Sequence, residues 1–188
     1  MNAALVSIDR SLRVLRRTIL LDLLAPPIGK ERVRRTLVHA ELPPSREMEE
    51  LYAWHGGTVF PAQTRLGDIY LVPGFYLLTL SDAITNYRAF EDHERWTRGW
   101  IPLFADGGGD FYVVDLRPEG GGAVRHFMID QEQHPVIYES ITAMMETAAA
   151  AFDAGVYFVD GDGYLNLNDE EFAKLASDRN PSVAWWSG

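Results

Sequence analysis

A chain of 188 residues, 47% of them hydrophobic, is about one domain's worth of sequence with enough apolar material for a core, and it contains no cysteine. That excludes a disulfide framework, a thiolate nucleophile and a cysteine-bound zinc, and it suits a reducing cytoplasm. With 17 Lys and Arg against 27 Asp and Glu the net charge is −10, which argues against non-specific nucleic-acid binding and for a basic partner.

The charge is uneven along the chain. Residues 1–40 hold eight cations, including Arg10, Arg13, Arg16 and Arg17, against Asp9, Asp22 and Glu31, so this arm carries +5 and the remainder −15. Such an arm folds back on its own body, bridges to a second copy or touches an acidic surface, and self-packing is the expectation. Leu5, Ile8, Leu12, Leu15, Ile19 and Leu23 recur at spacings of three and four, which predicts one amphipathic helix ending by Pro26-Pro27, with Arg13, Arg16 and Arg17 largely off its apolar stripe. Asp9 and Arg10 interrupt the first apolar residues and no run of about 18 apolar residues occurs, so a cytoplasmic chain with no membrane span is expected.

A short basic element follows over Glu31–His39. After Leu42-Pro43-Pro44, Ser45 is placed to cap a helix that buries Met48, Leu51, Tyr52 and Trp54, with Glu47 and Glu49 near its positive end and Gly56-Gly57 as its stop. Residues 58–67 read as a surface loop. Ile69 to Val72 and Phe75 to Leu78 are strand-like around Pro73-Gly74, and Ser81 with Asp82 opens a helix carrying Ala83, Ile84, Tyr87 and Phe90. Trp100 to Phe104 and Phe111 to Leu116 then predict a hairpin at the centre of the sheet, since Phe111, Tyr112, Val113 and Val114 are apolar on successive positions. Further strands are expected over Ala123–Ile129 and Pro135–Tyr138, and Ser140 caps a helix through Phe152 that Gly155 stops. Last come a hairpin about Asp160-Gly161-Asp162-Gly163, a helix capped by Asn168, and the tail Trp185-Trp186. Two adjacent tryptophans dock on their own domain or on a dimer mate, because exposing each forfeits roughly 1.5–3 kcal/mol.

Chemistry-bearing motifs are sparse. The loop Asp106-Gly107-Gly108-Gly109-Asp110 has the glycines of a phosphate cradle, but its two carboxylates repel phosphate and a strand rather than a helix follows. Asp160, Asp162 and Glu171 outline a calcium loop, yet Tyr164 and Leu165 occupy positions that need an oxygen ligand and a glycine, so a hairpin turn is the reading. His39, His55, His93, His126 and His134 form no metal-binding pair on a helix, and no serine sits in a nucleophile elbow. A metal-assisted hydrolase using Asp106, Asp110, Asp115 and Glu119 is the alternative from the enzyme class.

The stretch Leu42-Pro43 through Tyr52-Ala53-Trp54-His55-Gly56-Gly57, the run Trp100-Ile-Pro-Leu-Phe-Ala-Asp-Gly-Gly-Gly-Asp-Phe-Tyr-Val-Val-Asp-Leu116, and the later Gly122-Ala123-Val124, His126 and the helix at Ser140 resemble the SUKH superfamily. The resemblance covers residues 31–153 and departs at His55, where the family usually carries asparagine. It implies an α+β domain with a mainly antiparallel central sheet and helices packed on it, and no catalytic residue, metal or cofactor. Members include a fungal cell-wall synthesis regulator and bacterial immunity proteins that neutralise a cognate toxin, often a nuclease. The expected layout is a basic helical extension over 1–30, the family domain over 31–155, and a hairpin-helix extension over 156–188 within the same globule. The expected function is a non-enzymatic immunity protein that binds a basic toxin domain without touching nucleic acid or membrane. A regulatory scaffold is the alternative within the binding class, and a homodimer is an open possibility. Asp106, Asp110, Trp185 and Trp186 are the expected partner-binding residues, and residues 1–24 are expected to be removable from a folded sheet domain.

Overall fold

The computed structural model describes residues 1–187 and confirms the α+β class. Five strands form one antiparallel sheet in sequential order: β1 (Tyr76–Leu77), β2 (Trp100–Ala105), β3 (Phe111–Asp115), β4 (Val124–Phe127) and β5 (Val136–Tyr138). The expected central hairpin is therefore β2–β3, with β3 in the middle. Its register pairs Trp100 with Asp115 and Ala105 with Phe111, and shifts between Pro102 and Phe104, where proline supplies no N–H to the ladder.

Alternation on β3 sends its side chains to two differently covered faces. Phe111 points with Phe127 into an aromatic cluster with Phe90 and Trp96, where the Trp96–Phe127 centroids lie 4.8 Å apart. Tyr112 points the other way, stacked at 4.0 Å on Phe75 and close to Tyr138, Met144 and Tyr157. Helix α6 (Leu80–Phe90) packs on β2. Thr79 rather than Ser81 caps it: the Thr79 hydroxyl accepts the Asp82 N–H and donates to the Asp82 carboxylate, a reciprocal cap two residues earlier than expected.

Helix α1 (Asn2–Val14) lies along α7 (Ile141–Asp153), with Leu5, Ile8 and Leu12 buried. The single N-terminal helix expected from the leucine spacing breaks after α1. Arg16 adopts φ 54°, the Arg16 N–H bonds the Arg13 carbonyl and the Arg17 N–H bonds the Leu12 carbonyl. That is a Schellman cap built on arginine instead of glycine, so no sequence signal marks it. Helix α2 (Thr18–Leu23) restarts out of phase, burying Leu20 and leaving Ile19 half exposed. The strand expected over Ile69–Val72 is also absent: α5 (Leu66–Ile69) is one helical turn, and Val72 bridges only Phe75. Ile69 and Leu71 are apolar because they are buried, a condition that a short run shares between strand and turn.

Charged groups tie these elements together. Helix α3 (Lys30–His39) meets α4 (Arg46–Tyr52) through a bidentate pair in which Arg34 donates to the buried Glu49 at 2.8 and 3.1 Å. Glu47 reaches from α4 to the start of α7 and accepts the N–H groups of Ile141 and Thr142 at 3.1 and 3.2 Å, capping a helix that Ser140 also caps. The stop at Gly56-Gly57 is a close approach as much as a turn. Gly57 has φ 105°, and a Cβ there would lie 2.4 Å from the Thr79 Cα. The C-terminal hairpin, β6 (Tyr157–Val159) with β7 (Leu165–Leu167), turns on Asp160, whose carboxylate accepts the N–H groups of Asp162 and Tyr164; α8 (Asp169–Arg179) follows, capped by Asn168.

Arg17, expected on a solvated face, is only 6% exposed. Its guanidinium donates to the Gly163 carbonyl at 2.9 Å and the Gly67 carbonyl at 2.6 Å, joining the N-terminal helices to the 66–70 turn and to the tip of the C-terminal hairpin. Burial pushes its pKa down and the nearby Asp68 carboxylate opposes that. Arg17→Ala is therefore expected to lower the unfolding free energy by about 3 kcal/mol, since it strands the buried Gly67 carbonyl and the half-buried Gly163 carbonyl, whereas Arg13→Ala shifts it by under about 0.5 kcal/mol; urea titration of both decides. The packing argues against the expectation that residues 1–24 are dispensable. Leu5, Ile8, Leu12 and Leu20 belong to the same core as the sheet, so the truncated chain should lose its single sharp unfolding transition.

Candidate protein-binding face

The β2–β3 loop is held by its own carboxylates. Asp106 Oδ1 accepts the N–H groups of Gly108, Gly109 and Asp110 at 2.7, 3.0 and 3.0 Å. The cradle that glycines could offer to a phosphate is thus filled by the loop's own anion. Asp110 Oδ1 accepts the Ile129 N–H at 2.9 Å and so fastens this loop to the segment after β4. Gly109, at φ 116°, brings the backbone so near that a Cβ would lie 3.1 Å from the Ile129 side chain.

Residues 128–135, between β4 and β5, are anchored at the base and free at the tip. Arg95 donates to the Ile129 carbonyl at 2.8 Å, Arg125 to the His134 carbonyl at 3.2 Å, and the Met128 N–H to His134 Nδ1 at 3.3 Å. The His134 ring stacks on Phe127 with centroids 4.5 Å apart. Burial first, then the charges of Arg95 and other cations, lowers the His134 pKa, which fits a neutral ring accepting at Nδ1. The tip, Asp130, Gln131, Glu132 and Gln133, is exposed, and among the described residues neither Asp130 nor Glu132 has an ion-pair partner. A cleft of about 740 Å³ runs between this tip and Trp185, which is 52% exposed.

Beneath the face lies a buried ion cluster. Asp115 at the end of β3 is 0% exposed and accepts from Arg117 at 2.9 and 2.8 Å and from Arg125 at 3.2 Å; Arg125 also sits 5.4 Å from the Trp100 ring centroid. Burial alone would push the Asp115 carboxyl up, but hydrogen bonding, chiefly from Arg117, holds it below the usual carboxylate range. Through Arg125 the cluster fixes the base of the 128–135 segment.

Of the residues expected to bind a partner, Asp110 bonds the 128–135 segment at its start, Asp106 is engaged within its own loop, and Trp185 lies across the cleft from the tip. Trp186 does not join them. Its indole N–H donates to the Ile137 carbonyl at 2.6 Å, and its ring packs near Tyr138 and Phe172, so it closes the outer edge of β5. Asp130 and Glu132, which contribute the free charge, went unmarked because a polar turn between two strands has no signature of its own. The carboxylates of the hydrolase alternative are split: Asp106 and Asp110 precede β3, Asp115 ends it, and Glu119 pairs with Arg117. Among the described residues no group of three or more His, Asp or Glu side chains is placed to hold a metal ion.

Two measurements test this division of roles. Asp115→Asn should cost about 2–3 kcal/mol near neutral pH by breaking a buried pair. Because the folded carboxyl titrates below its ordinary value of 3.8, that stabilisation is complete above 3.8 and fades as pH falls further, so the two unfolding curves should converge in acid. Trp186→Ala should cost about 2–4 kcal/mol, whereas Trp185→Ala should move stability by less than about 0.5 kcal/mol in the same thermal and urea scans.

A search of curated proteins finds no match to the chain. A family model does match, that of the SMI1 / KNR4 family (SUKH-1), over residues 39–147. This span opens at the end of α3, takes in the whole five-stranded sheet with its Gly-rich hairpin loop, and closes within α7, leaving outside it α1 and α2, with Arg17 between them, and the C-terminal hairpin. With more than half of its length matched, the chain belongs to the SMI1 / KNR4 (SUKH-1) family.

Proposed function

We propose that this protein is a non-enzymatic immunity protein that acts in the cytoplasm by binding a basic toxin domain one to one and covering its active site. The observation that carries the reading is the 128–135 tip: two exposed, unpaired carboxylates, Asp130 and Glu132, face a half-exposed tryptophan across a cleft, on a chain of net charge −10. A nuclease surface attracts phosphate and is therefore basic, so an acidic inhibitor is steered to it by long-range attraction. Trp185 supplies the rigid aromatic anchor that concentrates binding energy near the centre of an interface. Asp106 then acts by holding its own loop in shape, and Asp110 by fastening that loop to the 128–135 segment.

The test is co-expression with the C-terminal domain encoded in the adjacent reading frame. Restored growth together with a stable one-to-one complex supports the reading, and binding should weaken as salt rises. The pair Asp130→Lys with Glu132→Lys should slow association, and Trp185→Ala should raise the dissociation rate about tenfold or more while the fold persists. Growth arrest with no complex rejects that partner, and a complex untouched by all three substitutions rejects this face.

A further inference from the structure

A second surface, separate from the face above, has the opposite character. A trough of about 540 Å³ runs between α3 and the start of α6. Its floor is apolar, formed by Ile28, Ala40, Leu80 and Ile84, and its walls carry Arg32 and His39 from α3 and Arg88 from α6. The spacing explains the alignment. Arg32, Thr36 and His39 fall on one side of α3 at i, i+4 and i+7, while Ser81, Ile84, Thr85 and Arg88 do the same on α6.

In a chain with ten more acids than bases, no acidic side chain lines this trough. Arg32 and Arg88 are exposed, and among the described residues neither has an ion-pair partner, whereas Arg34, on the other side of α3, is committed to Glu31 and Glu49. The nearest carboxylate of the α6 first turn, Asp82, is engaged by the Thr79 hydroxyl at 2.6 Å. Two unpaired guanidinium groups on opposite walls above an apolar floor match an anionic ligand that also has apolar groups to bury. No Trp, Tyr or Phe lines the trough, so it lacks the stacking platforms that single-stranded nucleic acid uses. Its volume falls within the roughly 300–1,000 Å³ of ligand clefts, and it is an open channel between two helices, the shape that accepts a peptide segment.

We propose that the α3–α6 trough is a docking site for a short acidic amphipathic segment of a partner protein, with its apolar residues on Ile28, Leu80 and Ile84 and its carboxylates on Arg32 and Arg88. The site is independent of the acidic face, because the two share no residue. The molecule then offers a basic partner one surface and an acidic partner another.

The probe is a synthetic peptide with Leu at i, i+3, i+4 and i+7 and Glu at the intervening positions, titrated into the full chain and followed by amide NMR, beside a counterpart with Lys in place of every Glu. Expected are shifts confined to Ile28, Thr36, Ile84, Thr85 and their neighbours with the Glu peptide alone. The double variant Arg32→Glu, Arg88→Glu should weaken binding about tenfold or more. Thr85→Trp, which fills the trough and leaves both arginines in place, should weaken it as well, with unfolding curves showing that each variant is folded. Equal binding of the Lys peptide, absence of shifts, shifts centred elsewhere, or an unchanged affinity in the double variant would overturn the proposal.

Discussion

The buried guanidinium of Arg17 is the constraint around which the flanking segments of this protein are arranged. An arginine cannot shed its charge, so once buried it must be surrounded by acceptors. The acceptors come from both later parts of the chain, Gly67 from the turn before β1 and Gly163 from the C-terminal hairpin. The Schellman turn that leads to Arg17, with Arg16 in a left-handed conformation that costs about 1 kcal/mol for a residue other than glycine, is the point where the chain leaves α1. Through the bonds of Arg17 the segments outside the matched family span are locked to the segment inside it.

The same accounting separates the carboxylates. Glu47, Glu49 and Asp115 are spent within the fold, on a helix start and on arginines, and Asp106 spends one oxygen on its own loop. A buried or half-buried carboxylate that is already satisfied has little left to give a partner, since a new contact must compete with an existing one. Surplus acid on exposed tips, as at Asp130 and Glu132, is different. Its field reaches into solvent, where it governs encounter more than final affinity. The cations divide in the same way: Arg17, Arg34, Arg117 and Arg125 are engaged by groups of the fold, and Arg32 and Arg88 on the trough are among those that are not.

Much of the sheet was legible because its signals are local. Asp106 to Asp110 between two apolar runs means a hairpin loop, and four successive apolar residues from Phe111 mean a strand at the centre of the sheet, which the β1-to-β5 order and the burial of β3 bear out. Ser45, Ser140 and Asn168 were legible as caps for the same reason, as each bonds an N–H three residues on. The break at Arg16 was not, because its cap uses arginine where glycine is the usual mark. Ile69 to Val72 misled because a buried turn and a buried strand require the same residues.

The sequence by itself determined the fold class, the central hairpin, the acidic excess and the family, all legible in composition or in short local runs such as Leu42 to Gly57 and Trp100 to Leu116. Only the tertiary structure decided which charges are free. Arg17, Glu47 and Glu49 look like surface residues until carbonyls, helix starts and arginines distant in sequence are brought to them. Trp185 and Trp186 are neighbours with one composition and two fates, because the carbonyl that claims Trp186 belongs to Ile137, on a strand 49 residues away. Partner-binding capacity in this protein is what remains after the fold has satisfied its own polar groups, and that remainder depends on long-range contacts that no local pattern encodes.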